Sequence, residues 1–241
     1  MAFGDPITFL LEATGRIPAI LFALSLHEAA HAWMALRCGD DTAARLGRIT
    51  LNPIAHLDPI GSIGIFLGFF GWGKPVPYVE RNLRHPLWDG MLIAAAGPVS
   101  NLILAAISGI AFRILIPLAE GSLYMGGSED PGSRIVLFLL FLTSFSLVVN
   151  LCLCFFNLIP IFPLDGEKIL LGFLPQRQAY QYAQLREYGP IGLLLLILVG
   201  GSFVSAWISV MSKPFFYLFA GTSFQGAIGV INLAFSALWG K

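Results

Sequence analysis

His27-Glu28-Ala29-Ala30-His31 sits inside an oily run. Residues 17–26 ahead of it are apolar apart from Ser25, and Ala32-Trp33-Met34-Ala35-Leu36 follow. An ionisable side chain within a membrane-length segment costs about 2–3 kcal/mol on insertion scales, so its presence points to function. Histidines at i and i+4 share one helix face, and the glutamate beside the first can act as a base toward an attacking water. This is the HExxH spacing of zinc hydrolases.

Catalytic zinc usually takes three protein ligands. His27 and His31 supply two, and one Zn2+ is expected. Candidates for the third at matching depth are Asp165 and Glu167. Asp165 is preferred: Pro160 and Pro163 unwind the end of the span before it, and Gly166 lets the chain turn, so the carboxylate can be aimed inward. Glu28 is then placed to take a proton from water and later pass one to the leaving nitrogen.

The elements that must position these groups are membrane helices. Of 241 residues, 56% are hydrophobic and 12% charged, where a soluble domain is about one-quarter charged. The 14 basic residues balance the 14 acidic ones, with no basic run, which speaks against nucleic acid as a partner. The three cysteines, Cys38, Cys152 and Cys154, are odd in number, and two lie in an apolar run. They read as helix filler rather than a disulfide framework or a soft-metal site. Residues 1–5 lack a basic stretch, and the first apolar run leads straight into the HEAAH helix, so no cleaved signal is expected.

A spanning helix needs about 20 apolar residues. Spans are expected at residues 17–36, 87–118 and 135–162, then at 190–204 and 207–238, the last interrupted near Lys213-Pro214 and Gly221. Residues 60–72 are apolar but Gly-rich and short, and could dip into the membrane and return. Arg45 to Leu51 ends in a short alternation compatible with a brief strand. The expected fold class is an all-α polytopic membrane protein of about five to six transmembrane helices with a small membrane-associated β hairpin or re-entrant segment. It reads as a single membrane-embedded domain over 1–241, with a catalytic core at about 15–170 and C-terminal helices at about 187–238. Arg113, near the far end of the second span, can snorkel to the interface.

Basic residues set the orientation. Arg37, Arg45, Arg48, Lys74, Arg81 and Arg84 fall in the first connection, and Lys168, Arg177 and Arg186 in the third. The second holds Arg134 against Glu120, Glu129 and Asp130. The N-terminus is therefore expected outside and the C-terminus in the cytoplasm. On that parity His27, His31 and Asp165 all lie on the cytoplasmic side of the midplane.

At these residues the chain resembles the site-2 protease family of intramembrane zinc metalloproteases. Four stretches carry the likeness: Leu26-His-Glu-Ala-Ala-His31-Ala; Gly47-Arg-Ile-Thr-Leu-Asn-Pro53 with His56-Leu-Asp-Pro59; Gly71-Trp-Gly-Lys-Pro-Val-Pro77 through Ala96-Gly-Pro-Val-Ser-Asn101; and Asn157 to Gly166. Together they cover about residues 20–170. The resemblance implies hydrolysis of a peptide bond in or beside a membrane-spanning protein substrate. It implies zinc on His27, His31 and Asp165, Glu28 as base, and Asn157 on the unwound substrate backbone. Asn101 matches a family position and is expected to serve packing. The chain departs from the family at Phe162, where a second Pro is frequent, and at Glu167, where a small residue is. It shows neither the extra first span nor the PDZ or nucleotide-binding (CBS) domains of some members. It resembles the short prokaryotic type, which implies a multi-pass protein of the plasma membrane with lipid and a membrane protein as its partners. Oligomeric state, substrate identity and regulation are not legible.

Two rival readings stand beside this one. Membrane zinc proteases that trim prenylated peptides also use HExxH, with a helix-borne Glu as third ligand, but Glu167 and Glu187 lie near span ends. A catalytically silent metal-binding scaffold or transporter should have lost Glu28 or a ligand, or show paired broken helices in two related halves. Neither is seen. Finally, a helical substrate must be unwound before cleavage, and its freed amides need partners. The expected docking edge is Arg48-Ile-Thr-Leu-Asn52, centred on Thr50, by β-addition.

Overall fold

The computed structural model describes residues 6–58, 73–124 and 130–239. The expected re-entrant segment at 60–72 lies outside these residues. The chain forms α1 (Pro6–Cys38), a short α2 (Thr42–Arg45), α3 (Pro86–Tyr124), α4 (Pro131–Asn157), α5 (Asp165–Phe173), α6 (Gln176–Ala183), α7 (Gly189–Leu198), α8 (Gly201–Ala220) and α9 (Phe224–Trp239). α3 and α4 start where the sequence supplies caps. Asp130 accepts from the Ser133 N–H at 2.8 Å ahead of Pro131, and Asp89 accepts from the His85 N–H at 2.8 Å beside Pro86.

Among the described residues, four helices are long and apolar enough to cross a membrane: residues 13–38, 86–123, 131–157 and 201–220. The chain is an integral, all-helical membrane protein. The first three match the expected spans, but the C-terminal part is divided differently. The expected span at 190–204 is split between α7 and α8, and α7, with 10 residues, is half the length that crossing requires. The expected interruption at Lys213-Pro214 is absent, since α8 runs through Pro214. The break comes at Gly221, whose φ of +68° ends the helix. Among the described residues no strand forms. Arg48 to Asn52 is irregular, and the single antiparallel bridge joins Leu57 to Gly73.

The chain divides into two compact units. One takes in the described residues of 1–23, 103–151 and 212–241. Phe141 is fully buried there, with Phe235 and Trp239 of α9 at ring distances of 6.2 and 5.7 Å. Ser108 and Ser146 share a hydrogen bond of 2.9 Å between α3 and α4, the kind of polar contact that joins membrane helices. Arg113 is tied to the end of α8, donating to the Leu218 carbonyl at 3.4 Å. A cation at a helix C-terminus meets the negative end of its dipole.

The other unit comprises Leu24–Leu102 and Cys152–Met211. Leu83 and Ile93 pack with Ala35 and Cys38, while Phe156, Ile159 and Leu164 pack with Leu193, Leu196 and Trp207. Asp40 is fully buried and pins the connection to the end of α1. It accepts from Thr42 Oγ1 at 2.7 Å, Val79 N at 2.9 Å and Asn82 Nδ2 at 2.7 Å. Burial alone would raise the Asp40 pKa, but these donors outweigh it and hold the carboxyl below its usual range. Arg48, also buried, donates to the Lys74 carbonyl, so residues 73–82 are tethered from both sides.

Candidate metal centre

α1 presents His27 and His31 one turn apart, with the ring centroids 4.5 Å apart. Each ring is held from behind by α3. His31 Nδ1 lies 2.7 Å from the Ile93 carbonyl, and His27 Nδ1 lies 2.6 Å from Asn101 Oδ1. Both partners accept, so each Nδ1 carries a proton, and Nε2 is the nitrogen that each ring turns forward. The two Nε2 atoms stand 2.9 Å apart. Asp165, at the first turn of α5, brings Oδ2 to 3.3 Å from His27 Nε2 and Oδ1 to 3.5 Å from His31 Nε2.

Three electron-rich groups thus face one another. Asp165 Oδ2 is buried with no hydrogen-bond donor, and one ligand atom from each residue falls within 4.8 Å of the others. Tetrahedral zinc with bonds of about 2.0–2.1 Å would separate its ligands by roughly 3.3 Å. The observed separations and the donor set fit that ion. Burying such atoms without a cation would cost several kcal/mol.

Gly97 makes the approach possible. A β-carbon there would lie 2.4 Å from His31 Nε2 and 2.5 Å from His27 Cε1. Ile93, Gly97 and Asn101 recur every four residues and so form one stripe of α3. Asn101 therefore does more than the packing expected of it, since its side chain holds a histidine. The small residues around Gly97 permit close helix packing, but neither Gly97 as a site residue nor the Ile93 carbonyl had been singled out. The four-residue stripe is a signal that could have flagged Gly97, but nothing in a sequence marks a particular carbonyl.

The choice between Asp165 and Glu167 has a geometric basis. Glu167 is buried and accepts from Arg186 Nε at 2.7 Å and Nη2 at 3.3 Å. Its hydrogen bond to Arg186 holds the guanidinium pKa above its ordinary value. Glu187 is exposed, so neither glutamate joins the histidines. Gly166 serves by close approach rather than by an unusual φ, since a β-carbon would meet the Leu158 and Ile159 carbonyls at 2.5 Å.

A cavity of about 600 Å³ opens onto the three residues. Glu28 and Asn157 line it, as do Gly73, Pro75 and Val76. Asn157 donates to the Leu153 carbonyl of its own helix at 3.0 Å. Thr50 is not among the lining residues, and its carbonyl faces His56 Nε2 at 2.8 Å. α7 contributes Pro190, Leu193, Leu194 and Ile197, so the cavity draws on residues beyond the catalytic core expected to end near 170.

Comparison with known proteins agrees with this arrangement. The profile of peptidase family M50 matches residues 16–199. YwhC of Bacillus subtilis, which carries the name of a zinc metalloprotease, is 39% identical over 186 residues, covering 77% of this chain and 81% of its own. Rip2 of Mycobacterium tuberculosis, named likewise, is 30% identical over 224 residues, 91% of this chain and 79% of its own. No solved structure matches the chain significantly. A helix-borne HEAAH facing Asp165, within a match that spans most of the sequence, leaves one assignment: the chain belongs to peptidase family M50, the site-2 protease family of membrane zinc metalloproteases.

Proposed function

We propose that this zinc metalloprotease cleaves a membrane-spanning substrate helix inside the bilayer, near the cytoplasmic face. The observation that carries the reading is the convergence of His27, His31 and Asp165 on a cavity also lined by Glu28, with both histidines inside a helix apolar enough to span. In this reading His27, His31 and Asp165 hold zinc. When bound, the ion polarises the scissile carbonyl and acidifies water. Glu28 accepts a proton from the attacking water and returns it to the leaving nitrogen. Asn101 and the Ile93 carbonyl keep both imidazoles in the Nδ1–H tautomer, so that the Nε2 pairs stay available. Asn157, on the cavity wall, meets the substrate backbone once it is unwound, because amides freed from a helix in lipid need partners.

The test is a series on purified protein, measuring bound zinc and cleavage of a model membrane-spanning substrate. Wild type should hold about one zinc and cut the substrate. Ala at His27, His31 or Asp165 should weaken zinc by more than about tenfold, while Glu167→Ala should keep it. Full zinc in Asp165→Ala with loss in Glu167→Ala would revive the glutamate-ligand reading. Asn157→Ala should keep zinc and lose cleavage efficiency.

The orientation has its own check. With α9 counted as a fifth crossing, the N-terminus lies outside and the C-terminus in the cytoplasm, across the plasma membrane of a prokaryotic cell. Single cysteines at residues 5 and 126 should then label from outside, and those at 82 and 178 from the cytoplasm. The reverse pattern would refute the charge argument.

A further inference from the structure

Lys168 has no part in the chemistry described so far. It lies on α5 three residues after Asp165, so the two side chains are neighbours on one helix face. Among the described residues lining the catalytic cavity it is the one ammonium or guanidinium. Its Nζ sits 4.3 Å from the centre of the Tyr78 ring. That contact holds the cation by its attraction to the ring face and leaves the ammonium hydrogens pointing elsewhere free to donate. Lys168 and Tyr78 also line a second cavity of about 300 Å³. The pair therefore belongs to the walls of both.

The reaction creates a need for such a group. Hydrolysis breaks the scissile C–N bond and forms a C–O bond with oxygen from water. The carbonyl-side fragment leaves as a carboxylate and the other as an ammonium, whose nitrogen has taken up both protons of the water. The new carboxylate appears in a cavity walled largely by Leu, Ile, Phe and Pro, beside the carboxylates of Glu28 and Asp165. An anion in apolar surroundings needs a paired cation with hydrogen bonds to give. Resting on the hydrolytic reading above, we infer that Lys168 is a product-binding residue, which takes the newly formed C-terminal carboxylate of the carbonyl-side fragment and leads it toward the second cavity.

The experiment compares inhibition by two synthetic peptides of the carbonyl-side fragment, one ending in a free acid and one in an amide. Purified full-length protein with measured zinc is used. Wild type should bind the acid at least about tenfold more tightly, by the usual strength of a charge-assisted hydrogen bond. Lys168→Met and Lys168→Gln should lose most of that preference with zinc unchanged, and Lys168→Arg should keep most of it. Two neutral variants are included so that poor folding of one does not decide the outcome. An acid preference that is missing in wild type, or that persists in a folded neutral variant, overturns the inference. So does an amide-capped peptide with an acidic side chain near its end that binds as tightly as the free acid, because Lys168 would then be reading substrate sequence. A wild type without zinc or cleavage would instead remove the hydrolytic reading itself.

Discussion

Glu28→Gln should give a protein that folds, holds its zinc and cleaves at least a hundredfold more slowly than wild type. Gln matches Glu in shape but cannot accept a proton from water. General-base catalysis is worth about 10²–10⁴-fold, so the loss belongs in the chemical step and not in substrate affinity. Glu28 is half-buried and lines the cavity beside the histidines, yet it is not one of the three converging groups. Zinc content should therefore stay at the wild-type level. The measurement is single-turnover cleavage of a membrane substrate, with zinc determined on the same sample. Cleavage within a few-fold of wild type, free of contaminating protease, would remove Glu28 from its role.

Gly97→Ala should come close to abolishing zinc binding, although residue 97 contributes no ligand atom. A single methyl group there would occupy space 2.4 Å from His31 Nε2. Real carbon atoms do not approach so closely, so either the rings or α3 must move. The rings are held from behind by Ile93 and Asn101 on that same helix. Moving α3 away breaks both anchors, and tilting the rings spoils the convergence. Loss of an anchor behind a metal-ligating histidine typically costs about 10–100-fold in affinity, and the collision adds to it. Competition with a calibrated chelator reads this directly. Gly90→Ala is the control on the same helix, since a β-carbon there meets only the Tyr78 hydroxyl, at 3.7 Å. If Gly97→Ala and Gly90→Ala hold zinc equally well, the close approach of α3 is not what builds the site.

Much of this protein follows from its linear sequence. HEAAH within an apolar run dictates a helix that shows two imidazoles on one face, because the helical repeat fixes where i and i+4 point. Long apolar stretches bounded by Asp-Pro and His-Pro dictate where α4 and α3 begin. The prolines after Asn157 dictate that α4 stops before Asp165, because a missing N–H and a fixed φ interrupt the ladder. Tertiary structure decided the rest. The prolines and glycine around Asp165 favoured it over Glu167 in the sequence, but that Glu167 is paired with Arg186 while Asp165 lies against both histidines is visible only in the fold. The tautomer of each histidine depends on an acceptor 62 or 74 residues away in the chain. The expected strand at 48–52 failed to form because alternation provides a face but not a partner, and that segment found none among the described residues. Of the two interruptions expected in the last span, the one at Gly221 forms, whereas the one at Lys213-Pro214 does not, because Pro214 is tolerated within α8. A proline removes one helix hydrogen bond and crowds the preceding turn, but helices within a membrane tolerate it where the freed carbonyl is satisfied by other groups. Local periodicity specifies which atoms a helix presents, while which atoms meet is fixed only when helices distant in sequence pack together.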